Sequence, residues 1–146
     1  MLVQCGDPKN ADHESLWHED ISENGWFGSP DNGAVDASGR LWIATDQSSK
    51  SKYSGTSDGL WVLETEGKYR GLAQMFYRVP LDAELCGPVF SDDGESLFLA
   101  IQHPGDIGGS SARVENASTY WPDFDSSMPP RPSIVTIRRI GGGRVG

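Results

Sequence analysis

The chain has 146 residues, the size of a single domain, and its 18 Gly, 9 Pro, five Trp, five Phe and four Tyr favour short strands joined by turns over helices. Its net charge of −9 argues against a nucleic-acid partner, since such a surface repels phosphate backbones. No apolar run approaches the ~20 residues that a membrane-spanning helix needs, and dense aromatic and β-branched clusters argue against disorder.

Residues 1–30 read as an incoming strand and linker. The start, Met1 to Gly6, lacks a charged region followed by an apolar core, so no export signal is visible in this chain. Cys5 and Cys86 form neither a CxxC pair nor a zinc spacing. They read as free thiols, and sequence alone supports no disulfide between them.

Residues 31–80 read as a complete four-stranded blade, with strands predicted at 33–36, 40–46, 59–65 and 74–80. Residues 81–140 read as a partial blade, with strands at 88–91, 96–102 and 133–139 and a Pro- and Gly-rich loop at 103–132. Residues 141–146 read as a flexible tail. An internal repeat organises this division. Asn32-Gly33-Ala34-Val35-Asp36-Ala37-Ser38-Gly39-Arg40-Leu41-Trp42-Ile43-Ala44 parallels Gly87-Pro88-Val89-Phe90-Ser91-Asp92-Asp93-Gly94-Glu95-Ser96-Leu97-Phe98-Leu99-Ala100. Each copy is an apolar strand, an Asp/Ser-Gly turn and a denser apolar strand, and the spacing slightly exceeds the ~40–50 residues of a propeller blade.

The second strand of each copy is apolar on both faces: Leu41 and Ile43 point one way, Trp42 and Ala44 the other. A sheet with one wet face alternates polar and apolar residues, so these sheets must be covered on both sides. The expected fold is therefore all-β, about two blades of a β-propeller, one complete and one partial. Closing a ring takes about four blades or more. A small sandwich is the structural alternative.

In a four-stranded blade the loop into the first strand and the loop after the second emerge on one rim. Asp31, Asn32 and Glu84 are expected on loops of the first kind, and Asp46, Gln102 and His103 just past second strands. Asp31 and Asn32 offer adjacent oxygens of the type that hard cations bind, or an Asx-turn that bonds its own backbone. Glu84 lies among apolar residues, where a carboxylate is costly to bury without a cation, or else it is a solvated loop residue. His103 and Gln102 are metal or phosphate contacts, or structural hydrogen-bonders. Asp36, Asp92 and Asp93 belong to hairpin turns on the opposite rim. There is no Walker loop or HExxH pair.

An ordered series of short motifs runs through nearly the whole chain: Gly25-Trp26-Phe27, Ser29-Pro30-Asp31-Asn32, Gly39-Arg40-Leu41-Trp42-Ile43-Ala44-Thr45-Asp46, Asp58-Gly59-Leu60-Trp61 and Glu64-Thr65-Glu66-Gly67. Ala83-Glu84-Leu85-Cys86-Gly87-Pro88, Leu97 to Gly105, Trp121-Pro122-Asp123 and Pro130-Arg131-Pro132-Ser133 continue it. The series resembles the C-terminal portion of the PhoX family of bacterial alkaline phosphatases. That resemblance implies a β-propeller phosphomonoesterase, with calcium and iron in the central channel and a phosphate monoester as substrate. It implies export by a twin-arginine signal and a periplasmic or secreted full-length protein. It also favours Asp31 and Asn32 as metal ligands, with Glu84 as the third candidate and, from the blade topology, Asp46, Gln102 and His103 on the channel rim. By the same resemblance the family's iron-binding cysteine lies outside the matched part, which leaves Cys86 without that role.

This segment alone is expected to be inactive and to self-associate through its open blade faces. Two other functions compete: a calcium-binding lactonase or esterase-type propeller, and a non-catalytic propeller scaffold.

Overall fold

A computed structural model describes residues 1–47, 57–108 and 110–146, so residues 48–56 of the predicted first blade lie outside the described residues. The described chain is all-β, with seven strands and only short 3₁₀ turns beside them. They are β1 (Pro30–Val35), β2 (Leu41–Thr45), β3 (Gly59–Leu63), β4 (Ala73–Arg78), β5 (Glu84–Phe90), β6 (Leu97–Gln102) and β7 (Ser133–Ile137). Every ladder is antiparallel. The first sheet has the order β1-β2-β3-β4 and the second β5-β6-β7, the up-and-down order of propeller blades. Among the described residues no helix is long and apolar enough to cross a membrane.

The two hairpins of the repeat close by related chemistry. In the first, the Asp36 and Gly39 amides donate to Arg40 and Asp36 carbonyls, and Asp36 Oδ1 accepts from the Ser38 and Arg40 amides. In the second, Ser91 and Gly94 amides donate to Ser96 and Ser91 carbonyls, and the Asp93 carboxylate accepts from Ser91 Oγ and the Glu95 amide. Gly39 and Gly94 both sit at positive φ, which the turns require. Asp36 also takes Trp42 Nε1 at 2.8 Å and pairs with Arg40 at 2.7 Å, tying the turn to the core. The expected turn roles of Asp36 and Asp93 agree with this geometry.

Between the sheets, Trp42, Ala44 and Leu60 of the first pack with Leu85, Leu97, Leu99 and Ile101 of the second. Trp42 is fully buried, with Phe76 and Phe90 edge-on at 4.7 and 5.3 Å. The other face of the first sheet carries Trp61, Leu63 and Ala73, and the N-terminal segment covers it with Phe27, Trp17, Ile21 and Val3. Within this cover Trp17 Nε1 donates to the Gly6 carbonyl and Trp61 Nε1 to that of Asn24. Residues 1–29 make one isolated bridge, Gln4 with Leu16, and one 3₁₀ turn at Ala11–His13, and otherwise act as an irregular lid. The C-terminal residues, read from sequence as a flexible tail, are docked here: Val145 is buried in the inter-sheet core and its amide bonds the Gly94 carbonyl.

The far face of the second sheet is open. Register places Phe98 and Ala100 on the opposite side from Leu97, Leu99 and Ile101, and Ile134 and Val89 stand out to solvent beside them.

Candidate metal centre

Three of the strands carry a one-residue irregularity, and two of these shape the candidate site. In β1, Pro30 pairs with Thr45 and Asn32 with Ala44, which leaves Asp31 as the extra residue. In β5 the register slips between Cys86 and Val89, with Gly87 at positive φ. Bulges of this kind bend a strand and re-aim the side chains beside them.

Asp31, Asn32 and Glu84 therefore lie within strands rather than on the loops expected to precede them. Both first strands reach further along the rim than their apolar stretches suggest, because Pro30 still pairs with Thr45 and Glu84 with Gln102. Glu84 opens β5, and strand alternation puts Cys86 on the same side of the sheet. Ligand atoms of Asp31, Glu84 and Cys86 all lie within 4.8 Å of one another. One carboxylate comes from the first sheet; the other, with the thiol, comes from the second.

Glu84 is held by three neighbours. Cys86 Sγ donates to its Oε1 at 2.7 Å, Gln102 Nε2 approaches the same oxygen at 3.4 Å, and His103 Nε2 lies 3.2 Å from Oε2. Gln102 also reaches Cys86 Sγ at 2.7 Å. The Glu84 side chain is only 13% exposed. His103 sits at φ 33, in the left-handed region, and its Nδ1 is buried with no hydrogen-bond partner among the described residues. Burial, then the Glu84 hydrogen bond, pushes the Cys86 thiol up to about 12. Without a cation, then, Cys86 is a protonated donor to Glu84.

The remaining sequence candidates sit at the edges of this group. Asn32 Nδ2 donates to the Asp31 carboxylate. Asp46 follows β2, its amide bonded to the Ser29 carbonyl, and its charge acts on the carboxylate of Asp58. Asp58 is 2% exposed and accepts from Thr45 Oγ1 at 2.6 Å and from the Gln47 amide at 2.9 and 3.0 Å. Burial pushes its carboxyl above the ordinary range, against the pull of those hydrogen bonds. The structure thus gathers Asp31, Asn32, Glu84, Gln102 and His103, and links Asp46 to the Asp58 network.

Cys86 is the member that sequence reasoning missed. Its position two residues after Glu84 on one strand was the available signal.

Two carboxylates and a thiol held this close, with His103 the one ion-pair partner of Glu84 among the described residues, form a donor set suited to a cation. Three donors fall short of the six to eight oxygens that Ca²⁺ takes. Glu84, Cys86 and Gln102 lie on the same face of the second sheet as Ala100 and Phe98.

The family described as alkaline phosphatase PhoX matches residues 1–105. Among solved structures, the chain is similar to Pseudomonas fluorescens PhoX in complex with vanadate, a transition state analogue, with a TM-score of 0.77 and 29% identity. That match covers 99% of this chain and spans 23% of the length of the P. fluorescens chain. No curated protein matches the chain. The two sheets are accordingly two blades of a propeller-like fold, and the chain belongs to the PhoX family of alkaline phosphatases.

Proposed function

We propose that these two sheets contribute metal ligands to the active centre of a metal-dependent phosphomonoesterase. The observation that carries this reading is the meeting of Asp31, Glu84 and Cys86 across two sheets. Two adjacent carboxylates repel a phosphate ester on their own, and bound cations invert that field. Bound there, calcium or iron would supply charge to polarise the phosphoryl oxygens and lower the pKa of a water nucleophile.

Asp31 and Glu84 are the oxygen donors in this reading, and Asn32 adds a further carbonyl or orients Asp31. Gln102 and His103 hold Glu84 in place from the rim. Cys86 must lose its proton before it can ligate, so its participation competes with its hydrogen bond to Glu84. The vanadate complex of the P. fluorescens protein supports the phosphoryl-transfer reading. The metals inferred are calcium and iron, and the complete protein is inferred to act in the periplasm or outside the cell.

Hydrolysis of an aryl phosphate by the complete metal-loaded gene product tests this. Glu84→Gln keeps the shape of the side chain but removes the charge, and the expected loss in kcat is at least ~100-fold, the scale of losing one electrostatic stabiliser. Full activity in Glu84→Gln would refute the assignment. The segment of residues 1–146 by itself is expected to show no turnover.

A further inference from the structure

Asp58, the residue before β3, is 2% exposed, yet among the described residues no Lys, Arg or His pairs with it. The donors its carboxylate has there are neutral: Thr45 Oγ1 at 2.6 Å and the Gln47 amide at 2.9 and 3.0 Å. Its carbonyl takes the Val79 amide at 3.2 Å, and the Gly59 amide donates to Thr45 Oγ1 at 3.2 Å. A buried carboxylate without a cation beside it is costly, and a fully bonded polar network makes its surroundings rigid.

What this network holds is the approach to Asp31. Thr45 is the register partner of Pro30, the Asp46 amide bonds the Ser29 carbonyl at 3.1 Å, and a Cβ on Gly28 would meet Gln47 Oε1 at 3.4 Å. Residues 45–47 are thus the surface against which residues 28–30 lie. Ser29 has φ 47, a left-handed backbone that a serine keeps only where its neighbours impose it. The bulge that sets Asp31 apart comes directly after, between Pro30 and Asn32.

We propose that Asp58 is a positioning residue for the shared cation: by fixing Thr45 and Gln47 it fixes Ser29 and Pro30, and through them the aim of the Asp31 carboxylate toward Glu84. The inference rests on the metal-centre reading and adds to it a residue that acts through the backbone of β1 rather than on the ion. A role confined to tying β2 to β3 would leave Asp31 indifferent to the loss of Asp58. Outer partners of a metal ligand set its orientation, and removing one lowers metal affinity about 10- to 100-fold.

The test measures calcium affinity calorimetrically on the complete gene product, with Asp58→Asn set against Asp36→Asn. Both remove a hydrogen-bonded carboxylate, but Asp36 belongs to the β1–β2 hairpin turn on the opposite rim. Asp58→Asn is expected to weaken calcium binding about 10-fold or more, and Asp36→Asn to leave it as in wild type. Thr45 gives a second pair that decides the matter even where Asp58→Asn does not fold. Thr45→Ser keeps the hydroxyl and should keep wild-type affinity, while Thr45→Val should weaken binding as Asp58→Asn does. Amide hydrogen exchange supplies a readout free of metal: the Asp46 amide should lose protection in Asp58→Asn and keep it in Asp36→Asn.

Wild-type calcium affinity in Asp58→Asn or Thr45→Val, or an equal loss in Asp36→Asn, overturns the inference. Unchanged protection of the Asp46 amide in Asp58→Asn overturns it as well. A wild type that binds no calcium, with Asp46 protection still dependent on Asp58, refutes the metal-centre reading and leaves Asp58 as the anchor of residues 28–30.

Discussion

The two sheets differ in how they are finished. The first is covered on both faces, by the second sheet on one side and by residues of the N-terminal segment such as Phe27 and Trp17 on the other. Among the described residues the second is covered on one face only, and its outer side shows Phe98 at 37% and Ile134 at 69% exposure. Both sheets are apolar on both faces in sequence, so the difference lies in what covers them, not in what they are made of. The uncovered face is also the one that carries Glu84 and Cys86. Substitutions are therefore expected to cost most in the first sheet and at the junction, while the candidate site draws Asp31 from the first sheet and Glu84 and Cys86 from the second.

Substitutions should separate the two regions. The largest effect is expected at the junction: Trp42→Ala removes a fully buried ring that touches Phe76 and Phe90 and bonds Asp36, and should cost about 3–5 kcal/mol in urea denaturation. A much smaller loss would mean that the sheets do not share one core.

Next comes the buried network at the rim of the first sheet. Thr45 Oγ1 donates to Asp58 and accepts from the Gly59 amide, so Thr45→Val leaves two buried groups short of a partner. A loss of about 2 kcal/mol is expected from the same titration.

The hairpin carboxylate of Asp36 has a pH signature. Burial works to raise its pKa, but the hydrogen bonds from Trp42, Arg40 and Ser38 outweigh that and hold it below 3.8. A carboxylate lowered in the folded state stabilises it above the unfolded pKa, and that contribution is lost as pH falls through the folded value. The stability gap between wild type and Asp36→Asn should therefore be constant above about pH 5 and shrink on acidification below 3.8, as chemical denaturation across pH would register. A gap that widens in acid would contradict the assigned bonds.

The smallest effect on folding is expected on the open face. Phe98→Ala should cost less than about 1 kcal/mol, because the ring has no covering layer to lose. Ile134→Lys should leave the fold intact and reduce self-association of the segment in size-exclusion chromatography, if that face is what drives it.

Much of this architecture is legible in the residues. The repeat around Leu41 and Leu97, with Asp or Ser before Gly, marks both hairpins, and doubly apolar strands require stacked sheets. Other features depend on contacts between distant segments. Nothing in residues 1–30 announces a lid, because its aromatic residues follow no strand or helix period and are organised only by the sheet they cover. The bulge at Asp31 is equally silent, since a one-residue slip depends on what the opposite strand offers. Glu84 and Cys86 were readable as a same-face pair once β5 was extended to the rim. Blade topology also puts Asp31 on the same rim as Glu84, on neighbouring blades; what it does not give is the close approach of Cys86 to both, which depends on the bulges and on how the two sheets stack.

In the proposed reading β1 and β5 hold one cation between them. Calcium affinity of the complete gene product, measured calorimetrically for wild type, Asp31→Asn, Glu84→Gln and the double variant, tests it most directly. Ligands of a shared ion are coupled, so each single change should weaken binding strongly and the double change little further. Strictly additive losses, or wild-type affinity in either single variant, would show that the two carboxylates do not serve the same ion.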